Sequence, residues 1–247
     1  MKKRGELMGI STRSGWLIFV LSIVLTGCGT TAKFVYPANA QNLIRLYETP
    51  KYGYSVAVVP FEEARSDKNQ SAYWAYLIPL VPYGTNNYER PDAARMFVSI
   101  NEFTFNVSED LAKAAVVSLQ KSNLFRNVYF SYGGDADKAD FILKGVTKST
   151  QYQGKIYSYC LSVYGPLLWF IGLPAGTSQN RLSLDLSLAK TGSNSSVWKY
   201  SFDREKSIVQ GLYYSMGYDV RNYTTLMEAA MNGAVEDLDK QLPDIVK

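Results

Sequence analysis

The chain has 247 residues, of which 47% are hydrophobic and 14% aromatic, and it contains no histidine. The absence of histidine excludes a histidine general base, a serine–histidine triad and the common zinc sites. Residues 1–27 hold four of the 26 basic and one of the 22 acidic residues, so the net charge of the remainder is about +1. That balance gives no electrostatic reason to expect nucleic acid as a partner.

The first 27 residues have the pattern of a secretory signal peptide. Lysine and arginine precede an apolar core at residues 16–25, which is about half the roughly 20 residues that a membrane-spanning helix needs. Starts at Met1 and at Met8 both fit this pattern, and a start at Met8 leaves a tighter basic region. We therefore predict that this segment directs export and is then removed.

The four residues Leu-Thr-Gly-Cys at positions 25–28 resemble the lipobox of bacterial lipoproteins. That resemblance implies a lipid on the thiol of Cys28, which anchors the chain to a membrane, and cleavage just before this residue. Gly29 follows in place of an aspartate, which by the sorting rule of such lipoproteins implies the outer membrane, facing the periplasm. Acylation of Cys28 leaves Cys160 without a disulfide partner, and its apolar neighbours predict a buried, unreactive thiol.

Two parts are predicted after the signal peptide. Residues 28–50 lack clear periodicity and are predicted to form a lipidated N-terminus and tether, whereas residues 51–247 are predicted to form a single domain. The first strong element is the apolar, β-branched run at 54–61, which is typical of a buried strand. The apolar and aromatic stretch at 71–84 contains two prolines, which favour a loop or short hairpin over a helix.

The middle of the chain alternates between strand and helix patterns. Residues 95–105 alternate as in a strand, and residues 107–122 place apolar side chains on one face of a predicted helix. Asn106 and Glu109 give this helix a capping-box-like start. Further strands are predicted at 128–132 and 140–147.

The last part begins with a second apolar and aromatic stretch, residues 157–174, which is interrupted by glycine and proline. Residues 181–188 alternate leucine with polar residues throughout and predict a strand with one buried face. Residues 197–203 are predicted to return antiparallel to it. A final helix is predicted from near Thr225, with Glu228 as the capping-box partner.

This order of elements predicts an α/β fold, a mixed-sheet α/β sandwich with two apolar aromatic insertions. The insertions occupy about residues 66–95 and 152–180. The aspartates at 135, 137 and 140 lack the glycine and glutamate of an EF-hand loop and are predicted to form a solvated turn. No cofactor or metal is therefore expected.

Four segments carry a family resemblance: the strand at 56–61, the helix end at 122–125, the segment at 139–145 and the hairpin at 186–198. They look like the corresponding parts of envelope lipoproteins of the CsgG, PelC and LpoB type, which share a fold with the N-terminal domain of TolB. The resemblance covers most of residues 54–240. The two insertions depart from the pattern of a small member such as LpoB.

The resemblance implies a protein that binds partners. The candidate roles are a component of a secretion or export complex, an activator of a peptidoglycan synthase, or support of another envelope machine. The composition of the chain also favours a binding role, because tyrosine and tryptophan are abundant and no catalytic spacing is found. We therefore predict a non-catalytic component of the cell envelope, and leave open whether it forms a homo-oligomer. The alternatives are a ring-forming subunit of an outer-membrane export channel and an envelope enzyme that works without histidine.

The two aromatic insertions are the predicted working surface, facing either a partner or the membrane. The alternative is that they pack against each other or cover the sheet. Prolines and glycines interrupt any alternating run of the length that a barrel strand needs, which argues against a pore. The predicted contact residues are Trp74, Tyr76, Leu77, Trp169, Phe170 and Ile171.

Overall fold

The computed structural model describes residues 30–193 and 195–245, and a compact unit begins at Thr31. The predicted signal peptide and Cys28 lie outside the described residues. The helices are α1 (Val107–Ser122), α2 (Pro166–Phe170) and α3 (Asn222–Ile245). The strands are β1 (Thr31–Lys33), β2 (Tyr52–Val58), β3 (Glu62–Glu63), β4 (Asn69–Ala72), β5 (Tyr83–Tyr88), β6 (Glu102–Thr104), β7 (Phe125–Phe130), β8 (Phe141–Ser149), β9 (Tyr152–Tyr157), β10 (Gly176–Lys190) and β11 (Ser196–Gln210).

The main sheet is mixed, as predicted. Its order is β4-β5-β9-β10-β8-β2-β7, with β11 beside β10 and β3 beside β8. The strand β2 runs parallel to β7 and β8, while β10 is antiparallel to β8, β9 and β11. The strands β1 and β6 form a separate parallel pair. The chain is thus an α/β protein built on a sheet that combines parallel and antiparallel strands.

The long hairpin of β10 and β11 follows from its alternating sequence. The leucines from Leu182 to Leu188 at even positions are all buried, and they pack in one core with α1 and α3. The turn between the strands uses Gly192 at φ +78, a left-handed conformation that favours glycine. Both long helices therefore lie on the face of the sheet that the leucines define.

Helix α1 has the predicted bounds, but one of the two hydrogen bonds of its N-terminal cap has a different partner from the one predicted. The side chain of Asn106 accepts a hydrogen bond from the backbone of Glu109 at 3.4 Å. The reciprocal bond, from the Asn106 N–H, goes to the carboxylate of Asp110 at 2.8 Å and not to that of Glu109. Glu109 instead pairs with Lys113 one turn later at 2.5 Å. The acidic first turn still faces the positive end of the helix dipole.

The segment predicted as a tether packs on the domain from residue 31 onward. Phe34 is buried in the core, and Thr224 donates a hydrogen bond to the carbonyl of Val35 at 2.7 Å. The carboxylate of Glu228 accepts from the Ala38 N–H and from the Asn42 amide, at 2.8 and 2.9 Å. The compact unit therefore begins about 20 residues before the predicted boundary at residue 51.

The last helix starts earlier than predicted, and the glutamate of its predicted capping box has another role. Helix α3 begins at Asn222, and Glu228 is buried with its two oxygens engaged by residues 38 and 42. It therefore holds the N-terminal segment and does not form a capping box with Thr225. Sequence spacing alone could not distinguish these two uses of a glutamate.

Two further predictions differ from the structure. Within residues 95–105 the strand is confined to Glu102–Thr104, because the preceding residues fold into a tight hairpin in which the Met96 and Phe97 amides bond the Asn101 and Ile100 carbonyls. Cys160 is exposed, not buried. It lies at φ +66 in a surface loop, so its apolar neighbours in sequence do not enclose it.

Candidate functional site

The two aromatic insertions extend the sheet into an arm. Strands β4, β5 and β9 join the first half of β10, so each insertion contributes strands and a connecting loop. We use the name aromatic tip for the loop segments 73–82, 158–175 and 211–218, which meet at the end of this arm. The third segment follows β11 and belongs to neither predicted insertion.

Hydrogen bonds to backbone carbonyls join the three segments of the aromatic tip. The Leu80 N–H donates to the Cys160 carbonyl at 3.2 Å, and the Ser158 N–H donates to the Pro82 carbonyl at 2.9 Å. The Tyr213 hydroxyl donates to the Phe170 carbonyl at 2.9 Å. These bonds satisfy main-chain groups that a loop would otherwise leave to solvent. The aromatic tip is therefore a defined substructure of the arm.

Glycine allows two further close approaches of the backbone at the aromatic tip. A side chain at Gly84 would meet the backbone carbonyl of Tyr73, and one at Gly165 would meet the backbone of Ser158. Backbone atoms cannot move aside as a flexible side chain can. Gly84 and Gly165 thus allow close backbone packing within each insertion.

The side chains at the aromatic tip are largely exposed although its backbone is packed. Trp74 is 63% exposed, Phe170 is 62% and Ile171 is 72%. The two insertions contact each other, which is one of the predicted alternatives. This contact leaves their large apolar side chains exposed. The other large exposed apolar side chains of the aromatic tip are Leu77, Ile78, Leu80, Leu161, Val163, Tyr164, Leu167, Tyr213, Tyr214, Met216 and Tyr218.

Two of the predicted contact residues are only partly exposed. The ring of Tyr76 packs edge-on against Tyr73 with centroids 5.4 Å apart. The indole N–H of Trp169 donates to the Tyr157 carbonyl at 3.1 Å. Both side chains therefore support the aromatic tip, and Trp74, Leu77, Phe170 and Ile171 form its outer surface.

The aromatic tip also lacks charge. Residues 69–88, 156–180 and 207–218 contain no lysine, arginine, aspartate or glutamate, although these types make up 19% of the chain. Three separate stretches of the sequence thus bring uncharged, aromatic-rich surface to one place. Soluble proteins rarely expose a contiguous apolar surface without a binding partner.

A buried carboxylate fixes the third segment. Asp219 is fully buried, and it accepts hydrogen bonds from the Ser99 N–H at 2.8 Å and the Tyr152 hydroxyl at 3.2 Å. The Ser99 hydroxyl in turn accepts from the Gly217 N–H at 2.8 Å. Burial raises the pKa of Asp219, and the hydrogen bonds from Ser99 and Tyr152 offset part of that rise.

This pKa shift predicts a pH-dependent effect of Asp219→Asn. Between the unfolded pKa near 4 and the higher folded pKa, the folded state keeps a proton that the unfolded state has lost. Wild-type stability should therefore fall as pH rises through this window, whereas the amide has no charge to bury. We expect the free energy of unfolding of the variant, relative to wild type, to increase with pH. Urea denaturation across this range measures it, and a constant or decreasing difference would contradict the prediction.

Beside the aromatic tip, the open face of the arm forms a shallow groove of about 550 Å³. Its walls combine hydroxyl and amide side chains with the apolar Ile208 and Val209, and Lys155 is the charged residue among them. The hydroxyl and amide groups can both donate and accept hydrogen bonds. Its lining includes Thr85, Asn87, Gln153, Thr177, Gln179 and Ser207.

The described residues show no grouping suited to metal chemistry. Within residues 30–193 and 195–245, no three acidic or cysteine side chains come together in a way that could hold an ion. In the same part of the chain, none of the helices combines the length and the apolar character needed to cross a bilayer.

Comparison with known proteins finds similarity to several solved structures at low sequence identity. No family model matches the sequence, and no curated protein matches it. The DUF330-family protein XCC0632 from Xanthomonas campestris shares 12% identity over 85% of this chain and 91% of its own, with a TM-score of 0.42. The PelC dodecamer from Paraburkholderia phytofirmans shares 13% identity over 77% and 92%, with a TM-score of 0.36.

A third similar structure is a putative neuraminyllactose-binding hemagglutinin homolog from Helicobacter pylori. It shares 11% identity over 82% of this chain and 96% of its own, with a TM-score of 0.35. The function of this chain must therefore be inferred from its own residues.

Proposed function

We propose that this chain is a lipid-anchored, non-catalytic protein of the cell envelope that acts through the contacts it makes. The observation that carries the proposal is the exposed, uncharged aromatic tip. A surface of this composition is costly to leave in water, and a binding function accounts for it. The sequence Leu-Thr-Gly-Cys before Gly29 supports attachment through a lipid on Cys28, with the outer membrane as the address.

A binding function also agrees with the chemistry that the chain lacks. It has no histidine for general acid–base catalysis at neutral pH. The most deeply buried carboxylate of the described residues, Asp219, is engaged in fixing the segment 211–218 through Ser99. Purified mature protein should therefore show no turnover of peptidoglycan, esters or phosphoesters. Turnover that is lost on a single carboxylate, serine or tyrosine substitution would contradict this expectation.

The anchor is tested by replacing Cys28. We expect Cys28→Ala to abolish lipid attachment and to leave an uncleaved or mislocalised precursor, because the thiol is the acylated atom. Mass spectrometry of the membrane-extracted protein measures both effects. Cys160→Ala is the matched control, since it removes the other thiol, which is exposed in the folded domain, and it should leave acylation unchanged.

Two results would count against the anchor. Acylation that persists in Cys28→Ala would reject it. Fractionation of the wild-type protein with the inner membrane would overturn the outer-membrane address alone.

A further inference from the structure

We infer that the aromatic tip inserts into the interfacial region of the bilayer that also holds the lipid on Cys28. This inference rests on the proposed lipid anchor and identifies the occupant of the exposed surface as lipid. Three features carry it: the composition of the aromatic tip, the place where the chain enters the domain, and the short sequence between that place and Cys28.

The composition fits a bilayer better than a protein partner. Charged side chains are strongly disfavoured below the headgroups, whereas tryptophan and tyrosine favour the membrane–water interface. The uncharged stretches 156–180 and 207–218 supply tyrosines and large aliphatic side chains to one surface. Protein interfaces usually surround an apolar centre with a polar and charged rim. Here the absence of charge extends through every segment of the aromatic tip.

The N-terminal segment shows at which end of the domain the chain begins. Residues 35–47 follow α3 in its own direction, since Val35 bonds Thr224 and Tyr47 bonds Asp239 further along the helix. Residues 31–34 therefore lie toward the start of α3. The aromatic-tip segment 211–218 leads directly into that start.

A chain of contacts links the two features more closely. Thr31 pairs with Glu102 in the parallel strands β1 and β6. The backbones of Glu102 and Arg95 form an antiparallel β-bridge across the tight hairpin. At the turn of that hairpin, Ser99 bonds Gly217 of the aromatic tip. The domain thus begins on the side where the aromatic tip is fastened.

The linker between anchor and domain is short. Two residues separate Cys28 from Thr31, and an extended chain advances about 3.5 Å per residue, so the anchor can reach roughly 10 Å from the first strand. A lipid on so short a linker holds the domain against the membrane. The lipid supplies the attachment but leaves the orientation of the domain free, and a second apolar contact fixes that orientation.

The test uses the mature chain, residues 28–247, with Cys28→Ala, so that no lipid contributes. Vesicles of phosphatidylethanolamine and phosphatidylglycerol are the probe. We expect this protein to sediment with the vesicles and brominated lipid to quench Trp74, while the buried Trp198 is unaffected. Because the aromatic tip is uncharged, added salt should change the association little.

Variants assign the association to the aromatic tip. Phe170→Ser and Ile171→Ser should each weaken vesicle association roughly tenfold, because each removes one large apolar side chain from the contact. Tyr132→Ser is the matched control, since Tyr132 is 72% exposed, as is Ile171, but follows β7 at the opposite edge of the sheet. The control should bind as the parent protein does.

The opposing outcomes are distinct. Failure of the parent protein to bind vesicles, or binding that salt abolishes, would overturn the inference. Self-association that Phe170→Ser and Ile171→Ser abolish, in the absence of vesicle binding, would assign the aromatic tip to a second copy of the chain and would also overturn it. Acylation of Cys28 in cells is a separate measurement. If lipid is found there while the aromatic tip fails to bind vesicles, this inference is wrong and the proposed lipid anchor stands.

Discussion

Trp198→Ala is expected to lower the free energy of unfolding by about 3–5 kcal/mol, whereas Trp74→Ala should change it by less than about 1 kcal/mol. Trp198 on β11 is 3% exposed, stacks on Tyr200 and donates its indole N–H to Asp237 on α3 at 2.8 Å. Trp74 is 63% exposed at the aromatic tip. The same chemical change thus empties a core site in one case and trims a surface in the other.

Urea denaturation of the two variants beside wild type measures this difference. Trp169→Ala should fall between them, near 2 kcal/mol, because the indole is partly buried and satisfies the Tyr157 carbonyl. A loss at Trp74 as large as that at Trp198 would mean that the aromatic tip is part of the core. In that case neither the proposed function nor a membrane contact would have a surface to act through.

The fold elements that the sequence predicts well are those whose signal is local. Helix α1 has the expected bounds because its apolar face and its Asn106 cap lie within the same short segment. The alternating leucines of 181–188 correctly predict a strand with one buried face. Both signals depend on side-chain periodicity, which each segment carries by itself.

The missed features depend on contacts between distant residues. Residues 31–50 lack periodicity because each contact is individual, such as Ala38 with Glu228, which lie 190 positions apart. The buried state of Glu228 is a consequence of that pairing. Cys160 is exposed in a loop whose backbone is left-handed at this residue, and composition does not predict that conformation.

The candidate site was predicted in part. Both insertions were identified from aromatic residues beside proline and glycine, and the structure places them together. Segment 211–218 lies outside both predicted insertions, between β11 and the last helix. The absence of charge from 207 to 218, with three tyrosines after Gly211, was the signal that could have identified it.

Arg65→Met should destabilise the protein by about 3 kcal/mol, because it removes one partner from a buried ion-pair cluster. The Arg65 side chain has no exposed surface, and its guanidinium lies 2.6 Å from the carboxylate of Asp92 and 2.7 Å from that of Glu63. It also donates to the hydroxyl of Thr150 at 2.8 Å. These contacts join the strands before the first insertion to residues at its far end and at the start of the second.

Arg181→Met is the matched control for this prediction. It breaks an ion pair with Asp203 of similar length, 2.6 Å, but both side chains are at least 41% exposed, so the loss should stay below about 1 kcal/mol. Arg65→Lys should fall between the two, since an ammonium cannot bond both carboxylates and Thr150 in the planar geometry of a guanidinium. Urea denaturation separates the three variants. Equal small losses of unfolding free energy for Arg65→Met and Arg181→Met would contradict the prediction. They would show that strand pairing alone holds the arm, and that the aromatic tip does not depend on the ion-pair cluster of Arg65 at the base of the arm.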